Sequence, residues 1–215
     1  MAASLDLVIF DCDGVLVDSE PLALRVCVEL GAELGWPLTE KEIIDRFLGR
    51  SERAVRAQIE ERLGPEAADR WETLYRERLN AAIDTELTEV DGISEALDAL
   101  TLPSCIASSG SHAKMRRTLT RTGLYERFAG RIFSASEVER GKPAPDLFLH
   151  AASRLGVAPE RCAVVEDSQY GVRAARAAGM RCFGYAGGLT PAEWLEGPDT
   201  VVFTDMRKLP VLLSA

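Results

Sequence analysis

The 215 residues carry a net charge of −9, with 47% hydrophobic and 27% charged residues, the makeup of an ordinary globular protein rather than a disordered or membrane one. An acidic balance of this size speaks against nucleic acid as a partner, since such binding needs a basic face to neutralise phosphates. No stretch approaches the roughly 20 apolar residues of a bilayer span, and Met1-Ala2-Ala3-Ser4 lacks a basic, apolar leader, so the expectation is a cytoplasmic protein with no membrane partner.

In chain order, Leu5 to Phe10 is a short apolar run ending at Asp11, the pattern of a buried parallel strand. From about Asp18 to Asp84 the sequence offers helices only: Leu22 to Leu34, Thr39 to Phe47, Glu52 to Leu63 and Ala67 to Ile83, separated by Gly-Trp-Pro, Gly-Arg-Ser and Gly-Pro. Strand-like runs then return at Ser104 to Ala107, Cys162 to Val165 and Arg181 to Gly184. They alternate with helical spacing over Gly92 to Leu100, Ala113 to Arg121, Pro145 to Leu155 and Val172 to Ala178. That alternation predicts an α/β fold, a Rossmann-like doubly wound parallel sheet. Residues 1–17 and 86–215 would form this core, and residues 18–85 an inserted α-helical cap. Ligands bind beyond the carboxyl ends of such strands, so an insert leaving the end of strand one is expected to act as a lid.

Asp11-Cys12-Asp13-Gly14 directly follows the first strand. Asp-Gly is also a common turn, while a calcium loop is excluded because Leu16 and Leu22 occupy its Gly and Glu positions. Glu166-Asp167 ends the Cys162 to Val165 strand, where an acidic pair could equally cap the next helix. Two acidic clusters at two strand ends repel unless a cation joins them, and hard oxygen ligands select Mg2+. Ser108 and Ser109 lie where the third motif, Ser108 to Ser111, leaves its strand. The Ser108 hydroxyl and nearby backbone N–H groups suit an anion, and Ser111 suits an N-cap. Lysine occurs only at positions 41, 114, 142 and 208. Lys142 lies in Gly-Lys-Pro-Ala-Pro-Asp, whose prolines stiffen the loop and fix the direction of a cation held against phosphate.

Five cysteines, Cys12, Cys27, Cys105, Cys162 and Cys182, without a C-x-x-C pair read as reduced thiols. With His112 and His150 the only histidines and no H-E-x-x-H, a zinc-hydrolase motif is excluded. No P-loop, dinucleotide or G-x-S-x-G motif occurs either.

The ordered set DCDGVLVDS, IASSGS, GKPAPD and VVEDSQYGV resembles the haloacid dehalogenase superfamily, specifically its helical-cap phosphatases and β-phosphoglucomutase-like members. The resemblance implies a Mg2+-dependent phosphatase of small phosphorylated metabolites, sugar phosphates or phosphorylated sugar acids; the chain is expected to be a monomer or weak homodimer. By the same resemblance Asp11 is the nucleophile that forms an aspartyl-phosphate, and Asp13 is the general acid and base. Asp11, the Asp13 carbonyl and Asp167 ligate Mg2+, with Glu166 in or near its water shell. Ser108, Ser109 and Lys142 bind phosphate. In the cap, Arg50 and Glu20 are the candidates to face the substrate, Arg50 through a distal hydroxyl or carboxylate.

Two alternatives compete. A phosphomutase of the β-phosphoglucomutase type shares the four core motifs, but its cap His, Lys and Arg are replaced by Ala23, Leu48 and Glu52. A non-catalytic module binding phosphate or Mg2+ is opposed by the intact Asp11, Asp13, Lys142 and Asp167. The non-metal dehalogenases lack the second aspartate, since a halide needs no proton, so Asp13 argues against carbon–halogen chemistry.

Overall fold

The structure is a computed structural model that describes residues 4–214. Met1 to Ala3, on which the leader reading partly rests, lie outside the described residues. The apolar run forms β1 (Leu7–Phe10), and all four of its side chains are buried. Its neighbours are β2 (Ser104–Ser108), β3 (Ile132–Ser134), β4 (Cys162–Glu166), β5 (Arg181–Tyr185) and β6 (Thr200–Phe203). They make one parallel sheet in the order β3-β2-β1-β4-β5-β6.

That order has a physical consequence. The chain builds outward from β1 through β2 to β3, then returns to the other side of β1 for β4, β5 and β6. Between β1 and β4 the connections diverge, which opens a crevice beyond their carboxyl ends. The register pairs Phe10 with Val165, and the Asp11 N–H donates to the Val165 carbonyl at 2.9 Å. Asp11 and Glu166 therefore emerge side by side at this switch point.

Both faces of the sheet are covered, which is why β1 is apolar throughout rather than alternating. Leu7 and Ile9 share a core with α8 (Asp146–Arg154) and α9 (Gln169–Ala177) through Leu147, Phe148, Ala151 and Val172. Phe10 meets Phe128, from the short α7 (Tyr125–Phe128), edge-on with ring centroids 6.2 Å apart. Helices α5 (Ile93–Ala99), α6 (His112–Arg121) and α10 (Leu209–Leu213) complete this unit. The strands β3 and β6 have no counterpart in the sequence reading. β3 has three residues, and three of the four residues of β6 are partly exposed, so neither carries a long apolar signature.

The chain divides into two compact units: one runs to Asp18 and resumes at Thr88, and the other is Ser19–Leu87. In the first, the Asp18 N–H donates to the Thr88 carbonyl at 3.0 Å and Val17 bridges Glu89 in antiparallel fashion. The two crossing segments are thus tied together within that unit. The second holds α1 (Glu20–Glu33), α2 (Glu40–Phe47), α3 (Glu52–Leu63) and α4 (Pro65–Glu86). It has its own core of Val26, Leu30, Ile43, Phe47, Ile59 and Trp71. Thr39 opens α2 with a capping box to Glu42, and Gly64, at φ 87°, turns the chain between α3 and α4 where Pro65 starts the new helix. Arg56 of α3 reaches Asp69 at 2.6 Å and Glu72 at 2.8 Å on α4. Among the described residues no helix is long and apolar enough to cross a membrane.

Candidate active site

Where β1 stops, Gly14 at φ 74° lets the chain fold back, its N–H donating to the Val17 carbonyl at 2.9 Å. This turn holds Asp11, 8% exposed, and the more open Asp13. Lys142, following Gly141 in the loop before α8, has an ammonium that donates to Asp11 Oδ1 at 2.7 Å and Glu166 Oε1 at 2.6 Å. It also lies 4.9 Å from the centroid of the Phe148 ring. The Lys142–Pro143 peptide is cis.

Glu166 is fully buried and both of its carboxylate oxygens are occupied. Lys142 takes one, and the Ser168 N–H and hydroxyl donate to Oε2 at 2.8 and 2.9 Å. The Ser168 oxygen then accepts from the Gly171 N–H at 3.1 Å, capping α9. Residue 171 must be glycine for this packing, because a Cβ there would collide with the Glu166 carboxylate. Asp167 is 4% exposed. Asp11, Glu166 and Asp167 each present a carboxylate oxygen, all within 4.8 Å of one another. Such an oxygen-only set fits a hard cation.

The charge balance points the same way. Burial, seconded by Glu166 and Asp13, pushes the Asp11 carboxyl up from 3.8 to about 7 although Lys142 pulls it down. Burial also pulls the Lys142 ammonium down, yet Asp11 and Glu166 together hold it above 10.5. One ammonium among three buried carboxylates leaves a surplus of negative charge, which a cation would neutralise.

Ser108, 1% exposed at the end of β2, accepts from the Gly110 N–H at 3.1 Å, which leaves its hydroxyl proton for an outgoing bond. Ser109 is exposed and Ser111 caps α6. Ser134 at the end of β3 donates to the Gly110 carbonyl at 2.7 Å, fixing this loop to the sheet. Glu137, in the turn after β3, accepts from the Ser134 N–H at 2.7 Å and contacts His112 at 2.8 Å and His150 at 3.0 Å. Glu20, the first residue of α1, and Arg50, exposed between α2 and α3, belong to the helical unit.

One residue escaped the motif reading. Lys114 of α6 donates to Asp13 Oδ2 at 2.8 Å. Its one signal was electrostatic: a cation in the first turn of a helix opposes the macrodipole, a cost that a nearby carboxylate offsets. The five cysteines are all free and buried. Burial pushes the Cys27 and Cys105 thiols up to about 12 and Cys162 up to about 11. It raises Cys12 and Cys182 as well.

The family model of haloacid dehalogenase-like hydrolases matches residues 5–179. The chain is 32% identical over 212 residues to the 6-phosphogluconate phosphatase of Escherichia coli K12, covering 98% of this chain and 96% of that protein. It is 32% identical over 180 residues to a phosphorylated carbohydrates phosphatase of Thermotoga maritima, covering 82% of each. Among solved structures, a haloacid dehalogenase family hydrolase from Deinococcus radiodurans, with bound phosphate and sodium, superposes with a TM-score of 0.82. That alignment has 35% identity and covers 99% of this chain and 96% of the other. The chain belongs to the haloacid dehalogenase-like hydrolases. Within that class it is a phosphoric monoester hydrolase.

Proposed function

We propose that the chain is a Mg2+-dependent phosphatase of small phosphorylated sugars or sugar acids, acting through an aspartyl-phosphate on Asp11. The observation that carries the reading is the convergence of Asp11, Lys142, Glu166 and Asp167 at the β1/β4 switch point. The names of the two phosphatase relatives support the substrate class.

Asp11, the Asp13 backbone carbonyl and Asp167 would hold Mg2+, with Glu166 beside it. Bound there, the ion supplies charge neutralisation for a phosphate dianion facing a carboxylate. Glu166 chiefly anchors Lys142, since both its oxygens already accept hydrogen bonds. In the first step an Asp11 oxygen attacks phosphorus, the ester P–O bond breaks, and Asp13 gives its proton to the departing alkoxide. In the second, Asp13 takes a proton from water, whose oxygen attacks the same phosphorus. The P–O bond to Asp11 breaks, releasing inorganic phosphate and restoring the carboxylate. Lys142, Ser108 and the backbone at Ser109 orient and neutralise the phosphoryl oxygens through both steps. Arg50 and Glu20 are proposed to select the non-phosphate part of the substrate.

A screen of sugar phosphates and phosphorylated sugar acids, with and without Mg2+, tests the proposal. Phosphate release that requires Mg2+, stops with EDTA and is abolished in Asp11→Asn is the expected result. Isomerisation of a hexose phosphate without net phosphate release, or no turnover across the panel by a folded protein, would overturn it.

A further inference from the structure

We infer that Lys114 is a positioning residue for Asp13, holding the acid–base carboxylate in its working orientation from outside the four motifs. The inference rests on the proposed role of Asp13.

Three observations carry it. First, Lys114 lies 101 positions from Asp13 in the chain, yet its ammonium meets Oδ2 at 2.8 Å. A bond to one carboxylate oxygen restricts rotation about the last side-chain torsion of Asp13, which carries the proton between leaving group and water. Second, the contact contributes little to stability. The side chains are 37% and 25% exposed, so water screens the pair. The lysine also stands in the first turn of α6, where the macrodipole disfavours a cation. Third, the base carrying Lys114 is rigid. Its own N–H is capped by Ser111 at 3.2 Å, Met115, Thr118 and Leu119 behind it are buried, and Ser134 pins the preceding Gly110 carbonyl at 2.7 Å. A functional side chain mounted on a fixed element can hold a partner to a narrow orientation.

A structural role and a positioning role differ in leaving-group dependence. Proton donation matters most for a poor leaving group and least for nitrophenolate, so a misaimed Asp13 penalises substrates unequally. The experiment measures kcat/KM with Mg2+ for phenyl phosphates graded from p-nitro to p-methoxy, for the wild-type enzyme and for Lys114→Met, Lys114→Arg and Asp13→Asn. The expected result for Lys114→Met is a loss of about tenfold or more on the methoxy ester and under about threefold on the nitro ester. Asp13→Asn should show the same slope more steeply, and Lys114→Arg should restore most of the loss. If Asp13→Asn steepens the slope while Lys114→Met matches wild type or loses equally on all esters, the inference falls and the role of Asp13 stands. If Asp13→Asn leaves the slope unchanged, the acid role fails and this inference fails with it. Melting curves of each variant separate a folding defect from either outcome, with Lys114→Arg keeping the test open should the methionine variant unfold.

Discussion

At the scale of single residues, Lys142 sits where stability and chemistry meet. It is a cation 5% exposed between two carboxylates, so removing it leaves buried negative charge without its partner. Lys142→Met is expected to cost about 3–5 kcal/mol in urea unfolding, along with loss of turnover. Asp11 behaves in the opposite sense. Burial disfavours its charged form, so Asp11→Asn, which removes that ionisation, should raise the melting temperature of EDTA-treated protein while abolishing phosphate release. A buried carboxyl whose ionisation costs its fold stability is a pattern common at functional sites. Asp11, Asp13, Lys142 and Glu166-Asp167 were legible in the sequence because each falls at a strand end or in a proline-stiffened loop. Lys114 was not, since its partner lies far away in the chain and only the helix dipole marked it as misplaced.

At the scale of elements, α9 approaches β4 closely enough that Gly171 has no room for a side chain. Gly171→Ala is expected to displace the Glu166 carboxylate and loosen Lys142, costing about 1–3 kcal/mol of stability and lowering turnover, as measured by thermal unfolding and phosphate release. Sequence alone gave Gly171 no special standing, because the demand comes from a neighbouring strand. The turn after β3 supplies a pH-dependent contact. Burial alone would raise the Glu137 carboxyl, but the Ser134 N–H, His150 and His112 together hold it below the ordinary 4.5. A depressed carboxyl contributes stability that is fully present above 4.5 and is lost as the pH falls through the lower folded value. The stability gap between wild type and Glu137→Gln should therefore narrow as pH drops below 4.5 in thermal unfolding. The edge strands β3 and β6 were illegible for a related reason. Their identity is set by pairing with β2 and β5 rather than by a periodic pattern of their own.

At the scale of the molecule, two separate cores imply two centres of stability. Ile59 is 1% exposed in the helical unit, and Ile59→Ala should cost about 2–5 kcal/mol there. Hydrogen exchange is the appropriate measurement: amides of α1 to α4 should exchange faster, while those of β1 and β4 keep their protection. The parallel sheet and the helical run were readable because strand-helix alternation and amphipathic spacing repeat over many residues. The buried thiols have a practical consequence. With burial holding their protons on, all five native cysteines will react sluggishly with maleimides and iodoacetamide at neutral pH. A cysteine placed at an open position such as Val211, 74% exposed, would be the preferred attachment point for a fluorophore or spin label. Motions during turnover could then be followed without first stripping the protein of its natural sulfur.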